Sequence, residues 1–194
     1  MTKFMIAATA ALLALPTMAS AQALPAPIIA VVDVQRATST CNACRTALTQ
    51  LEAQATSLRG LQTSLQTSLR TEATAIQAAA TALAGKQPDA ALTARATAFE
   101  RKQQDAQRQL QTREQTFERN RAHVLQQIGA KLEPAVAGVL TRRGATVMLD
   151  AASVVRFAPS VDVTNDVVAA LNASLTTIST TAPAQARPAT PQGR

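Results

Sequence analysis

Residues 48–83 read LTQLEAQATSLRGLQTSLQTSLRTEATAIQAAATAL, and an apolar side chain recurs there every three or four positions. The apolar residues on one heptad seam are Leu48, Leu51, Ala55, Leu58, Leu65, Leu69, Ile76, Ala79 and Leu83, and the two seam positions left over hold Gln62 and Glu72. A heptad that persists over about five repeats is typical of a coiled coil. The stretch therefore predicts one long helix that packs along a narrow seam.

The sequence AGKQPDA at residues 84–90 interrupts this heptad. Gly85 can end the first helix in the left-handed conformation, and Pro88 is tolerated at the start of the next helix. A second seam follows at Leu92, Ala96, Phe99, Ala106, Leu110, Phe117, Val124, Ile128 and Leu132, with Gln103 and Arg113 between them. Two long helices joined by a short break predict an antiparallel hairpin over residues 40–141, with its tip near residues 85–89.

The hairpin carries signals for where its helices begin and end. Ser39 or Thr40 is the expected N-cap of the first helix. Pro134 lies inside the second pattern and is expected to kink or restart that helix. The sequence Arg-Arg-Gly at residues 142–144 marks its end, because basic residues complement the helix dipole and glycine favours the turn beyond it.

Two β-branched runs flank the hairpin. PIIAVVDV at residues 27–34 predicts a strand buried on both faces, with Asp33 as a turn residue at its end. ATVMLDAASVVRFAPS, which follows the hairpin, predicts two more strands at residues 147–149 and 154–157, joined by a turn.

A short helix is predicted over residues 161–175, with Thr164 as its N-cap. Residues 27–36 and 142–176 then form a small β-rich body from which the hairpin projects. The predicted fold class is α+β and mostly α. A sheet of three short strands exposes its edges and is too small to support such arms, so the body is expected to form an oligomer.

The two termini have compositions of their own. A basic start, a short apolar run and two small-residue sites predict a signal peptide over residues 1–23, cleaved after Ala21 or Ala23, rather than a retained membrane anchor. Residues 179–194 are rich in Pro, Ala and Thr, which predicts disorder.

Export and charge limit the partners of the mature chain. Cleavage of the signal peptide predicts a periplasmic location, which is an oxidising compartment. The formal net charge of +7 falls to +6 when Lys3 leaves with the signal peptide, and this excess favours acidic proteins or anionic lipid as partners. Export, together with the absence of Trp and Tyr that could stack on bases, excludes nucleic acid.

Cys41 and Cys44 are the two cysteines of the chain, spaced C-x-x-C at the predicted start of the first helix. The oxidising compartment and the i,i+3 spacing favour a disulfide that fixes the helix start to the body, although so short a loop adds little stability. A redox centre is one alternative, since a helix N-terminus lowers the pKa of a thiol. A zinc ion shared between subunits is another, because one chain supplies only these thiols and His123 toward about four ligands.

No catalytic set, metal site or cofactor site is predicted, so the chain is not expected to be an enzyme. Asp150 and Asp162 are interpreted as turn and cap residues, and Ser153 has no nearby His. The second helix carries many charges, which predict either a solvated coiled-coil face or a binding surface. Its basic residues include Arg95, Arg101, Lys102, Arg108, Arg113, Arg119 and Arg121, and its acidic residues include Glu100, Asp105, Glu114 and Glu118.

Three stretches together resemble the Skp/OmpH family of periplasmic chaperones. They are IIAVVDVQR at residues 28–36, the Ala/Gln/Arg-rich helical middle, and VMLDAASVVRFAPSVDVTNDVVAALN at residues 147–172. The resemblance implies a jellyfish-like homotrimer in which a β-rich body joins three subunits and three helical hairpins enclose a cavity. It also implies an ATP-independent holdase that keeps unfolded outer-membrane proteins from aggregating before they are inserted.

The chain departs from the family pattern in its C-x-x-C, its Pro-rich tail and its arms rich in Thr and Gln. No residue that contacts client or lipid is therefore carried over by position. Two other classes remain as hypotheses: a scaffold or adaptor of the cell envelope that uses the hairpin as a spacer, and a C-x-x-C thiol oxidoreductase.

Overall fold

The computed structural model describes residues 25–184, so the predicted signal peptide lies outside the described residues. The chain runs β1 (Ile29–Val32), α1 (Val34–Thr40), α2 (Asn42–Ala82), α3 (Ala90–Arg142), β2 (Val147–Asp150) and α4 (Thr164–Ser174). This confirms the predicted fold class, a mostly helical chain with a small strand component. Over the described range, no helix is both long enough and apolar enough to cross a bilayer.

Helices α2 and α3 form the two arms of a hairpin. They have 41 and 53 residues, which corresponds to about 60 and 80 Å at about 1.5 Å per residue. The arms are antiparallel, because contacts join Glu72 to Arg95 near the tip and Gln54 to Asn120 near the base. Their sequences form helices because the heptad pattern runs through both, as predicted.

The tip turns one residue earlier than predicted. Ala84 and Gly85 both have positive φ, 47° and 87°, so the left-handed turn begins at Ala84. Pro88 precedes α3 instead of lying in its first turn. Asp89 is the N-cap of α3, and its carboxylate accepts a hydrogen bond from the backbone N–H of Leu92 at 2.7 Å.

The start of the first arm also differs from the prediction, because the separate helix α1 precedes it. Asp33 is the N-cap of α1 and accepts from the backbone N–H of Arg36 at 2.7 Å, so it begins a helix and does not simply end a strand. Cys41 separates α1 from α2 and is the N-cap of α2. Neither Ser39 nor Thr40 is the cap, because both hydroxyls donate back to the carbonyl of Arg36.

Pro134 does not restart the second arm. Helix α3 is continuous from Ala90 to Arg142. Ala135 and Val139, which follow Pro134, are buried in the core. Packing of the last turns therefore outweighs the backbone hydrogen bond that proline cannot donate.

The body contains two strands and not the predicted three. β1 pairs in parallel with β2, from Ile29 opposite Val147 to Val32 opposite Asp150. Residues 154–157 are irregular. They do not extend the sheet, because at Val31 strand β1 pairs instead with the segment before α4, where the N–H of Val163 donates to the Val31 carbonyl at 2.9 Å.

Helix α4 begins at Thr164, which is its first residue and not its N-cap. The Thr164 N–H donates to the Asp162 carboxylate at 2.9 Å, and the Thr164 hydroxyl accepts from the N–H of Asp33 at 2.9 Å. This buried threonine therefore joins the start of α4 to the start of α1. Asp166 lies in the first turn of α4 and pairs with Arg143 at the end of α3.

The main core lies where the body meets the base of the arms. Its members come from β1, from the first turns of α2, from the last third of α3 and from α4: Ala30, Val32, Ala43, Cys44, Ala47, Leu51, Val124, Ile128, Ala135, Val139, Val167 and Leu171. Farther toward the tip, Ala106 is the one fully buried apolar residue of the described arms. The arms are therefore held at their base and packed thinly along their length.

The seam of α2 does not follow the predicted positions everywhere. Leu48 is 41% exposed, whereas its neighbour Ala47 is 1% exposed and belongs to the core. Gln62 is exposed, and Leu61 is half-buried in its place. Which face of α2 is buried near its start depends on the body, which packs on the face that carries Ala43, Ala47 and Leu51.

Candidate functional site

The sulfur atoms of Cys41 and Cys44 lie 1.99 Å apart and their Cα atoms 5.0 Å apart, which is the geometry of a disulfide. Both residues are 0% exposed and belong to the core. Cys41 Sγ also accepts from the backbone N–H of Cys44 at 3.1 Å, so the pair occupies the N-terminal turn of α2. Because the sulfurs lie inside the core, an external thiol cannot reach them without local opening of the body.

The acidic residues singled out in the sequence have separate structural contacts. Asp150 caps the short 3₁₀ turn that follows β2, through the N–H of Ala152 at 3.1 Å. Hydrogen bonds from Thr164, together with the Arg36 guanidinium 3.0 Å away, hold the pKa of the Asp162 carboxyl below its usual value. Across residues 25–184 no three His, Cys, Asp or Glu side chains converge on a common point.

The charged face of α3 is partly neutralised by ion pairs. Arg95 bonds to Glu72 across the arms at 2.7 Å, and Arg121 lies 3.7 Å from Glu118 on its own helix. Arg108 pairs with Asp105 in the same way. The Arg95 bond also lowers the pKa of the Glu72 carboxyl. Much of this surface is therefore a solvated helix face with local charge pairs.

A polar contact crosses the seam of the arms just beyond the core. Asn120 is buried, at 7% exposure, and its side-chain N–H donates to the side-chain oxygen of Gln54 at 2.9 Å. Sequence reasoning missed this pair because it followed apolar residues only. The spacing nevertheless indicates that Asn120 faces the seam, because it lies three residues after Phe117 and four before Val124.

Residues 179–182, which we call the strap, lie along the arms at this same place. Gln127 accepts from the Ser179 N–H at 3.0 Å and donates to the Ser179 carbonyl at 2.8 Å. Gln54 donates to the Thr180 carbonyl at 3.1 Å, and Asn120 accepts from the Ala182 N–H at 2.9 Å. This segment differs from the predicted disorder of the tail, of which residues 185–194 lie outside the described residues.

An open groove of about 480 Å³ lies between the arms next to the strap. Thr181 is part of its wall, and Leu58, Leu61 and Phe117 supply its apolar surface. Polar atoms come from residues such as Gln109 and Arg113. The groove thus joins small apolar patches to amide and guanidinium groups, which suits many weak contacts with a chain and does not suit a shaped small-molecule site.

A second surface lies on the body. Ile28, Ile29, Val147 and Leu149 are apolar residues of the sheet region with exposed fractions of 38–56%, and Val155 in the irregular segment is fully exposed. Most exposed apolar residues need no explanation when they are isolated. On the small body of one chain, these five residues leave apolar side chains in contact with solvent.

Residues 28–171 match the family described as outer membrane protein (OmpH-like). A crystal structure from Caulobacter crescentus CB15, of a protein described as an OmpH-like outer membrane chaperone, aligns with a TM-score of 0.65 and 24% identity over 81% of this chain and 90% of that chain. At this identity the likeness shows a shared fold. No curated protein matches the chain.

Proposed function

We propose that this chain, which belongs to the family of OmpH-like outer membrane proteins, is an ATP-independent holdase of the periplasm. Its clients are unfolded outer-membrane proteins, which it encloses before they are inserted. Family membership supports a chaperone role. The observation that carries the finer proposal is the hairpin itself, whose arms extend about 60 Å or more from a compact base and bury little along their length.

The arms suit a client that has no fixed structure. Their seam is made of half-buried Ala and Leu with interspersed Gln and Thr, so contacts made there are individually weak and tolerate many sequences. The positive net charge favours acidic segments of a client and anionic lipid near the membrane. Shielding a client between arms keeps its strand edges from pairing with those of other clients, and this needs neither ATP nor covalent chemistry.

The proposal includes a homotrimer joined through the body. Its support is the exposed apolar residues of the body, among them Ile29, Val147 and Val155, together with a two-stranded sheet too small to carry two long arms alone. One hairpin cannot surround a client, whereas three that start from a common body enclose a cavity. The signal peptide and the periplasmic location belong to the same proposal.

We further propose that Cys41 and Cys44 act as a structural clip. Their burial between α1, α2 and α4 favours this role over thiol–disulfide exchange. The clip holds α1 and α2 at the angle that directs the arm away from the body.

An aggregation assay tests the holdase proposal. An unfolded outer-membrane β-barrel protein is diluted from urea into buffer without ATP, with and without the purified mature chain. We expect light scattering to be suppressed at about three protomers per client. Bovine serum albumin at equal mass controls for crowding. If the client aggregates equally in both samples, the chain is not a holdase, and a scaffold that uses the hairpin as a spacer becomes the better account.

A further inference from the structure

We propose that the side-chain amides of Gln54, Asn120 and Gln127 form a binding subsite for the backbone of an unfolded polypeptide. The strap, residues 179–182, is the resident occupant of this subsite, and an unfolded client displaces it. The inference rests on the proposed function, because that function supplies the ligand class. Beyond that function, a client binds at a defined place on the arms, and a segment of the same chain competes with the client for this place.

The subsite recognises main-chain atoms and not side chains. The three amides bond to four backbone groups of the strap: the N–H and carbonyl of Ser179, the carbonyl of Thr180 and the N–H of Ala182. Every residue other than proline presents the same two groups. A site that pairs with them accepts an unfolded segment of almost any sequence, which a chaperone of diverse clients requires.

The subsite is held in place by the arms independently of the strap. Asn120 is oriented by its bond to Gln54 across the seam, and its burial restricts its rotamers. Gln127 is oriented by a second bond from its amide N–H to the His123 carbonyl at 3.1 Å on its own helix. When the strap leaves, the amides remain directed at the same positions, so a second chain meets a formed site.

The strap is an exchangeable occupant. Ser179, Thr180 and Thr181 have small polar side chains, and the main side-chain bond they make to the arms is that of the Thr180 hydroxyl to Gln50 at 2.7 Å. A client with larger apolar side chains can pair with the same amides and also fill the neighbouring groove at Leu58 and Leu61. The strap therefore lowers the apparent affinity for clients by the fraction of time it occupies the site.

Two proline substitutions in the full mature chain test the competition. Ala182→Pro removes the N–H that bonds to Asn120, whereas Ala184→Pro, on the other side of Pro183, removes an N–H that makes no hydrogen bond within the described residues. The probe is a reduced and carboxymethylated protein, which is permanently unfolded. We expect Ala182→Pro to lower its apparent Kd about three- to tenfold relative to Ala184→Pro. Equal affinities of the two variants overturn the competition.

Gln127→Met in the Ala182→Pro background tests the subsite itself. Met keeps the length of the side chain but cannot bond to backbone, and Gln126→Met is the control, because Gln126 is an exposed neighbour without a side-chain bond among the described residues. We expect Gln127→Met to raise the Kd of the probe about three- to tenfold and Gln126→Met to leave it unchanged. Equal effects of the two changes exclude the amide subsite.

Hydrogen exchange of the wild type gives a third measurement. The amide protons of Ser179 and Ala182 should exchange faster when the probe is saturating, because the strap has left the amides. Slow exchange at both residues in the complex would show that client binds elsewhere and would overturn the proposal. If the probe binds and speeds exchange at Ser179 and Ala182 but client aggregation is not suppressed, the holdase function is refuted and the subsite is supported. Absence of any probe binding refutes the subsite directly.

Discussion

Asn120 of α3 donates a hydrogen bond to Gln54 of α2 at 2.9 Å across a seam that is mostly apolar. The pair lies at the boundary between the buried base of the hairpin and its thinly packed arms. It fixes the register of the two helices at that point, because only one alignment brings both amides together. It also presents one further hydrogen-bonding atom from each side chain to the strap.

Replacing Asn120 by Leu should lower the free energy of unfolding by about 1–2 kcal/mol, because Gln54 and the strap both lose a partner. Adding Gln54→Leu should recover part of this loss, since two apolar residues then face each other in the seam. Urea denaturation of the two single variants and the double variant measures the coupling. Strictly additive effects would mean that the two amides act independently.

The arms were predictable because heptad periodicity is a local property of the sequence. Both helices lie where the pattern places them, and the break at Gly85 lies at the tip. The third strand was not predictable in the same way. Val154 and Val155 have the composition of a strand, but a strand also needs a partner strand, which local composition does not predict. At Val31, β1 pairs with Asp162 and not with these residues.

The candidate site was only partly visible in the sequence. The cysteine spacing drew attention to Cys41 and Cys44, which lie together in the core. The strap gave no such signal, because a segment rich in Ser, Thr and Pro is typical of disorder wherever it is not bound. Its contacts arise only when the hairpin aligns Gln54, Asn120 and Gln127, residues that come from distant parts of the chain.

Val155→Asp should separate the proposed trimer into monomers without unfolding them. Val155 is fully exposed in one chain, so a charge there costs the isolated protomer little, whereas burial of that charge between subunits is strongly unfavourable. Light scattering at micromolar concentration should give about three protomer masses for the wild type and about one for the variant.

Leu125→Asp is the matched control, because Leu125 is 56% exposed on the arm and not on the body. It should leave the trimer intact. A wild type that scatters as a monomer contradicts the trimer. A trimeric Val155→Asp variant places the interface elsewhere.

Acid should weaken the body through Asp162. Bonds from Thr164, then the nearby Arg36, hold the folded pKa of this carboxyl below its ordinary value of 3.8. A lowered folded pKa means that the stabilisation is fully present above about pH 4 and is lost as the pH falls through the folded value. Asp162→Asn should therefore cost about 1–3 kcal/mol at pH 7, and the difference from wild type should shrink at pH 3.

Arg36→Gln provides the comparison for this pH effect. It removes the ion pair but keeps the Thr164 bonds, which are the larger cause of the lowered pKa. Its loss of stability at pH 7 should be smaller than that of Asp162→Asn. A difference between Asp162→Asn and wild type that is the same at pH 3 and pH 7 would rule out the ionised carboxylate as the source.

The arms should open before the body does. Between Leu51 and the tip, α2 has no fully buried residue, whereas the last third of α3 packs Val124, Ile128 and Val139 in the core. Local stability follows buried apolar area. Hydrogen exchange should be fastest around residues 83–89 and slowest around residues 124–139. Equal protection along the whole of α2 and α3 would contradict thin packing of the arms.

Replacing both Cys41 and Cys44 by Ala should leave client protection nearly intact. The closed loop is too short to constrain the unfolded chain strongly, and Ala fills most of the buried space, so the free energy of unfolding should fall by only about 1–2 kcal/mol. The wild type should show no thiol–disulfide exchange with a scrambled client, because both sulfurs are buried. Turnover in that assay, abolished by the double change, would identify the pair as a redox centre and not a clip. A chelator that dissociates the trimer would instead reveal zinc held between subunits.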